Sequence, residues 1–419
     1  VRDLTATTGT AVSLTGAGNS GTYSFRSVSA NGGANGILLQ NNTGSFTVTG
    51  NSAGNCGGVV VNNATAPTAP ALADCTGGTI QNKATGIRLD NVQNVSLTRM
   101  HITGTSANNF GIYGTSVNGF TLARSVIDGS IGATTGGQDA PLVLGKSNPG
   151  GQNGLSGVNS ITDSTISGGI EHNMEFYNQS GSFSLAALRN MVISNSATLG
   201  VNGMLMDMQG TASAIVSIDN AYFSDNKSQA LQVTARDSAA VNFTLKNSKW
   251  TRTTQGNAGV FFANAGNGQL TADLNNNIAS GFDLITIYVG QESLGASAIS
   301  KLDVTIRNNT VTAPATAAGH TILALLSSAI GAGAPARIRV SDNNVTQGST
   351  TGGARAIVID TPDIGTNPVY HASVTNNMVN LTNASFGVAA LIGQARQAST
   401  ACMSIAGNNV TVAASGVDA

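Results

Sequence analysis

The sequence predicts an all-β protein in which short parallel strands stack into a solenoid, a parallel β-helix of roughly 12–13 coils at the usual strand spacing of about 4.8 Å. Three observations predict it. A hexad with an apolar residue at each end and small or polar residues between recurs about eleven times along the 419 residues. In the C-terminal half its first residues are Leu274, Ile306, Val340, Val374 and Ile405, which stand 32, 34, 34 and 31 positions apart. Composition agrees: 52 Gly, 8 Pro and only 9% charged residues, with abundant Thr, Ser, Asn and Val, suit short strands joined by many turns.

Taken in order, the first 80 residues are the less regular part. Thr22 to Ser29, Gly36 to Gln40 and Ser45 to Thr49 alternate apolar with small polar residues and read as the first coils. From residue 81 onward the coils are regular. The hexad runs through Leu97 to Ile102, Leu122 to Ile127, Ile161 to Ile166, Leu188 to Ile193, Ile218 to Phe223 and Leu245 to Trp250, then through the five later copies. The widest gap, 39 residues from Leu122 to Ile161, holds the Gly-rich runs Gly132 to Gly137 and Ser147 to Gly154, which read as loops leaving the coil. No Pro-rich or charge-rich linker interrupts the repeats, so residues 1–419 read as one elongated domain.

The hexad reads as strand, corner, strand. Its apolar ends are five residues apart and would face opposite ways on one straight strand. In Ile306 to Val311 the corner falls at Asn308 and Asn309. Asn suits it, because Asn tolerates the left-handed conformation and bonds its own backbone. The same reasoning places Asn276 and Asn277, Asn343 and Asn344, Asn376 and Asn377, and Asn408 and Asn409 at corners. A helical repeat is the rival, but no 3.6-residue apolar stripe is present and Gly, Thr, Val and Asn dominate.

A net charge of −1 with scattered Lys and Arg gives no basic face for nucleic acid. No apolar stretch is long enough for a transmembrane helix. With no secretory signal in view and Val1 as first residue, the expectation is a processed product or an excised segment. Cys56 and Cys75 bracket a Pro- and Ala-rich excursion, Val61 to Asp74, and are either a disulfide stapling that loop or two buried thiols; Cys402 is left alone.

The run Gly77-Gly-Thr-Ile-Gln-Asn-Lys-Ala-Thr-Gly-Ile-Arg-Leu-Asp-Asn-Val-Gln-Asn-Val-Ser-Leu-Thr-Arg-Met-His-Ile-Thr-Gly104 and the runs Gly111 to Leu122, Phe25 to Leu39 and Cys402 to Val410 resemble the large bacterial "beta strand repeat-containing" surface proteins. The resemblance covers nearly the whole chain. It implies a right-handed parallel β-helix of the pectate-lyase-like superfamily, secreted or displayed on a bacterial surface. It brings no catalytic motif that transfers to residues here.

Many enzymes of this fold act on acidic polysaccharides and need grouped carboxylates. The chain has three Glu, no Asp-Asp pair and no Gly-His-Gly turn, since Gly319-His320 runs into Thr321. Its densest ionisable cluster is Glu171-His-Asn-Met-Glu175. On a strand, Glu171, Asn173 and Glu175 would share one face and His172 the other, which either gathers two carboxylates at one point or makes a solvated strand edge. Asp360-Thr-Pro-Asp363 reads either as a calcium loop or as an ordinary turn. His101 and His371 are isolated, and the Asn-X-Ser/Thr triplets at Asn94, Asn242 and Asn344 are expected by chance.

No cofactor or metal is therefore expected. With no column of carboxylates in view, the leading expectation is a non-enzymatic extracellular structural or adhesive protein, a building block that self-associates or continues in a longer chain, with surface glycans as further partners. The alternative is a carbohydrate-active enzyme or glycan-binding module on the same β-helix.

Overall fold

The computed structural model describes residues 2–16, 18–51, 54–60, 66–104, 109–132, 138–147, 151–195, 201–253, 258–292, 300–326, 335–349, 353–361, 369–382, 388–396 and 400–413. They fall into two compact units, Val1–Met208 with Ala212–Lys227, and Gln209–Thr211 with Ser228–Ala419. Every strand ladder given for either unit is parallel, and the one helical element among the described residues is the 3-10 turn Leu72–Asp74. Connections between parallel strands of one sheet are right-handed in nearly all proteins. Each unit is thus a stretch of right-handed parallel β-helix. No described helix is long and apolar enough to cross a membrane.

In the first unit, apolar side chains that alternate inward along each strand stack in columns from coil to coil. One column is Ile80, Ile102, Ile127, Ile166, Ile193 and Phe223. A second, on the strand before the corner, is Leu97, Leu122, Ile161, Leu188 and Ile218. A third is Ile37, Ile87, Ile112, Leu142, Met174 and Met204. All of these are buried. They make the core, at roughly 1.5–3 kcal/mol for each large side chain removed from water.

In the second unit the hexad does the same work. Leu245, Leu274, Ile306, Val340, Val374 and Ile405 stand in one register, and Trp250, Ala279, Val311, Val345, Val379 and Val410 in the next. Ile405 and Val410 belong to the last described coil and are exposed.

Between these two columns lies the corner, and it has two distinct positions. Asn247, Asn276, Asn308, Asp342 and Asn376 take the left-handed conformation, with φ between 51° and 58°, and Gly407 takes it at 67°. The following residues, Asn277, Asn309, Asn343 and Asn377, are buried and form a ladder that ends on Asn408. Asn309 shows the pattern: its Nδ2 donates to Leu274 O at 3.0 Å and Asn343 Oδ1 at 2.9 Å, and its Oδ1 accepts from Asn277 N and Nδ2, both at 2.9 Å. Asn344 and Asn409, which the sequence reading put at the corner, are instead the first residues of strands Asn344–Gln347 and Asn409–Val412. In those two copies the left-handed position is filled by Asp342 and Gly407, so the corner sits one residue earlier than the Asn pairs suggest.

Cys56 and Cys75 are joined by a disulfide with their Cα atoms 4.7 Å apart, and Cys402 is an exposed free thiol. Residues 61–65 of the excursion are outside the described residues. The segment that leads into it, Gly54 to Val60, packs on the coil corners: Thr165 Oγ1 donates to Gly57 O at 2.8 Å, Asn220 Nδ2 to Val60 O at 3.0 Å and Arg99 Nη1 to Gly54 O at 2.6 Å. The crosslink spans 19 residues. A loop of that size restricts the unfolded chain by about 3 kcal/mol. Replacing both cysteines by Ser is expected to lower the stability of the first unit by about that amount in urea denaturation, and an unchanged midpoint would show that the loop contributes nothing.

Candidate functional site

Strands Leu142–Leu144, His172–Asn178 and Asn202–Met208 lie side by side in the first unit. Met174 and Phe176 point into the core, each in register with its neighbours on both sides. By the two-residue alternation Glu175, between them, points outward. There it stands in register with Val143, Tyr113 and Arg88 on preceding coils and with Leu205 on the next.

An outward position on a strand is ordinarily wet. This one is not: Glu175 is 1% exposed, Tyr113 5% and Glu171 9%. The cover comes from the segments that leave the coil before and after Leu142–Leu144, namely Gln138 with Asp139 and the antiparallel bridge between Lys146 and Gln152. Gln138 is the clasp. Its backbone N–H donates to Glu171 Oε2 at 2.5 Å, and its side-chain Nε2 donates to Glu175 Oε1 at 2.9 Å and Ser147 Oγ at 2.5 Å. Tyr113 Oη donates to Gln152 Oε1 at 2.6 Å and fastens the bridge to the sheet. Glu175 Oε2 is buried without a hydrogen-bond partner.

Burial dominates the electrostatics. It pushes the Glu175 carboxyl up to about 8, with the negative charge of Glu171 adding to the rise and Lys146 opposing it. A carboxyl of that kind keeps its proton at neutral pH and can donate it. Burial also raises Glu171, against the backbone N–H groups of Gln138 and Asp139, which favour its ionised form. Lys146 Nζ lies 3.6 Å from Asp139 Oδ1 and 5.1 Å from the centre of the Phe110 ring. Phe110 stacks on Tyr113 with centroids 4.6 Å apart, and the Arg88 guanidinium sits 4.1 Å over the Tyr113 ring.

His172 Nε2 is 3.7 Å from Glu171 Oε1, a separation that would make an ion pair if the ring were charged. Burial drives its pKa down to about 4, so at neutral pH the ring is neutral and its Nδ1 accepts the Asn202 N–H at 3.3 Å.

Of the residues singled out in the sequence, the structure brings Glu171 and Glu175 together through Gln138. It does not form the solvated edge. Asn173 serves the fold instead, donating to Ser194 O and Asn226 Oδ1 and accepting from Gly169 N. Asp360 is paired with Arg396 at 2.8 Å, and Asp363 lies outside the described residues. His101 meets Asp128 at 3.0 Å, and His371 is an exposed residue in register with Arg337 and Cys402. Among the described residues no three His, Cys, Asp or Glu are grouped as a metal ion requires. The residues missed were Gln138, Asp139, Lys146, Tyr113 and Arg88; the 39-residue gap with its Gly-rich loops marked the place of the first three, and nothing in the sequence marked Tyr113 and Arg88.

No protein-family model matches the chain, and no curated protein matches it. Among solved structures it is similar to the family 28 exopolygalacturonase of Yersinia enterocolitica, at 10% identity over 80% of this chain and 72% of that one, with a TM-score of 0.29. A likeness so distant carries no argument about chemistry. The expectation of a non-enzymatic structural or adhesive building block is nevertheless corrected. That expectation rested on there being no column of carboxylates in view; Gln138 instead brings Glu171 and Glu175 together as a buried cluster.

Proposed function

We propose that the chain is a carbohydrate-active protein that cleaves glycosidic bonds at Glu175 and Glu171 of the first unit. The observation that carries this reading is the buried Glu175 carboxyl, which keeps a proton at neutral pH and has one oxygen without a partner, beside a second carboxylate. One carboxyl held protonated by burial beside a second that accepts backbone N–H bonds favouring its ionised form is the arrangement glycoside hydrolysis uses. Glu175 gives its proton to the glycosidic oxygen as the bond to the anomeric carbon breaks; water attacks that carbon, and Glu171 takes the water's proton. Sugar reaches Glu175 when the Gln138 side chain leaves its bonds to Glu175 and Ser147. The Cys56–Cys75 disulfide and the resemblance to bacterial surface proteins support a place outside the cell.

The test is release of reducing ends from a panel of polysaccharides by the full chain. Glu175→Gln and Glu171→Gln are each expected to reduce the rate about 10²- to 10⁴-fold, the usual weight of a general acid or base. The wild-type rate is expected to fall as pH rises past about 8, where Glu175 loses its proton. Full activity in Glu175→Gln, or no reducing ends from any polysaccharide, would end this reading.

A further inference from the structure

We infer that the glycan taken at Glu175 is uncharged, and that polyuronates and sulfated polymers are poor ligands. This rests on the reading of Glu175 and Glu171 as the cleavage site, and it follows from which charges surround them. An acidic sugar needs a cation able to meet its carboxylate. Among the described residues, the two cations next to the site, Arg88 and Lys146, are already engaged. Arg88 Nη2 is 3.7 Å from Asp90 Oδ2 and its guanidinium lies on Tyr113, while Lys146 is held between Asp139 and the Phe110 ring. Asp90 is itself held in place, accepting the Thr115 hydroxyl at 2.9 Å.

That leaves Glu171, whose negative charge already raises the Glu175 pKa. A substrate carboxylate brought beside it would meet repulsion in a site with little water to screen it. What the site does offer is neutral hydrogen-bonding groups, Gln138 with Ser147 beside it and Gln152 over Tyr113, together with the protonated Glu175. Such groups match sugar hydroxyls, which both donate and accept.

The experiment presents the full chain with neutral polymers (galactan, mannan, xylan and β-glucan) and with acidic ones (polygalacturonate, alginate and chondroitin sulfate), reading binding by calorimetry and cleavage by reducing ends. A preference for a neutral polymer of at least about tenfold in Kd or kcat/KM is expected, the size of one uncompensated charge contact. In Asp90→Asn, which releases Arg88, affinity for polygalacturonate is expected to rise about threefold, the weight of one partly exposed ion pair. Preference for an acidic polymer overturns the inference and leaves Glu175 as the acid. An Asp90→Asn chain that gains nothing toward polygalacturonate also overturns it. Neither class bound or cleaved removes the cleavage site and the inference together.

Discussion

Asn309→Ala is expected to cost the second unit about 3–5 kcal/mol. The side chain is about 1% exposed and satisfies four groups: Leu274 O and Asn343 Oδ1 take its two N–H bonds, and Asn277 N and Nδ2 give to its oxygen. Ala takes this partner from Leu274 O and Asn277 N where water does not reach, at roughly 1–3 kcal/mol for each group left unpaired, while Asn343 Oδ1 keeps the backbone N–H of residue 309 and Asn277 Nδ2 keeps Leu245 O. Asn308→Ala, one residue earlier, is the contrast. Asn308 holds φ at 57° and its side chain is exposed, so Ala there costs only the left-handed strain of about 1 kcal/mol. Urea denaturation followed by circular dichroism separates them, read by midpoint because stacked coils unfold with near-neighbour coupling. Equal losses in the two variants would show that the buried ladder does not hold the corner.

The fold was open to sequence reasoning because a β-helix repeats its constraints. Each coil must supply an inward apolar residue at the same place, so the spacing from Leu274 to Ile306 to Val340 states the register, and the ladders pair those residues. The corner was legible to within one residue. Asn appears at both corner positions and at the strand start after them, and only backbone geometry separates Asn343, buried in the ladder, from Asn344, exposed on its strand.

The site was half legible, for a different reason. Glu171 and Glu175 could be picked out, because two of only three Glu lie four residues apart. That Glu175 is dry could not. Alternation says that a side chain points outward, never what lies over it. Gln138, Lys146 and Gln152 sit on segments that leave the coil, where no repeat fixes the path, and Tyr113 and Arg88 come from coils 62 and 87 residues upstream of Glu175, as counted along the chain. The strand reading also gave Asn173 to the same face as the two carboxylates; strand His172–Asn178 begins only after Glu171, so Glu171 is free to turn toward Gln138 while Asn173 bonds the neighbouring turn.

Stability of the first unit is expected to be flat from about pH 4.5 to 6.5 and then to fall up to about pH 8. Two buried groups set this, with opposite signs. Glu175 goes from 4.5 in the unfolded chain to about 8 in the native one, so between those values the native state holds a proton that the unfolded state releases, and rising pH favours unfolding. His172 goes from 6.5 to about 4, so between those values the unfolded state takes a proton that the native state refuses, and rising pH favours folding. Where the windows overlap, from 4.5 to 6.5, the two slopes cancel. Above 6.5 only Glu175 still titrates, and at about 1.4 kcal/mol per pH unit the loss by pH 8 is about 2 kcal/mol at most. Glu171, also raised by burial, acts in the direction of Glu175. Glu175→Gln keeps an acceptor for Gln138 and carries no ionisable proton, so its stability is expected to climb from pH 4 to 6.5 and stay level beyond. Urea midpoints at pH 5, 6.5 and 8.5 for the two proteins decide it: a wild-type midpoint unchanged between 6.5 and 8.5, or the same decline in Glu175→Gln, would mean that Glu175 is not the buried acid on which the cleavage chemistry depends.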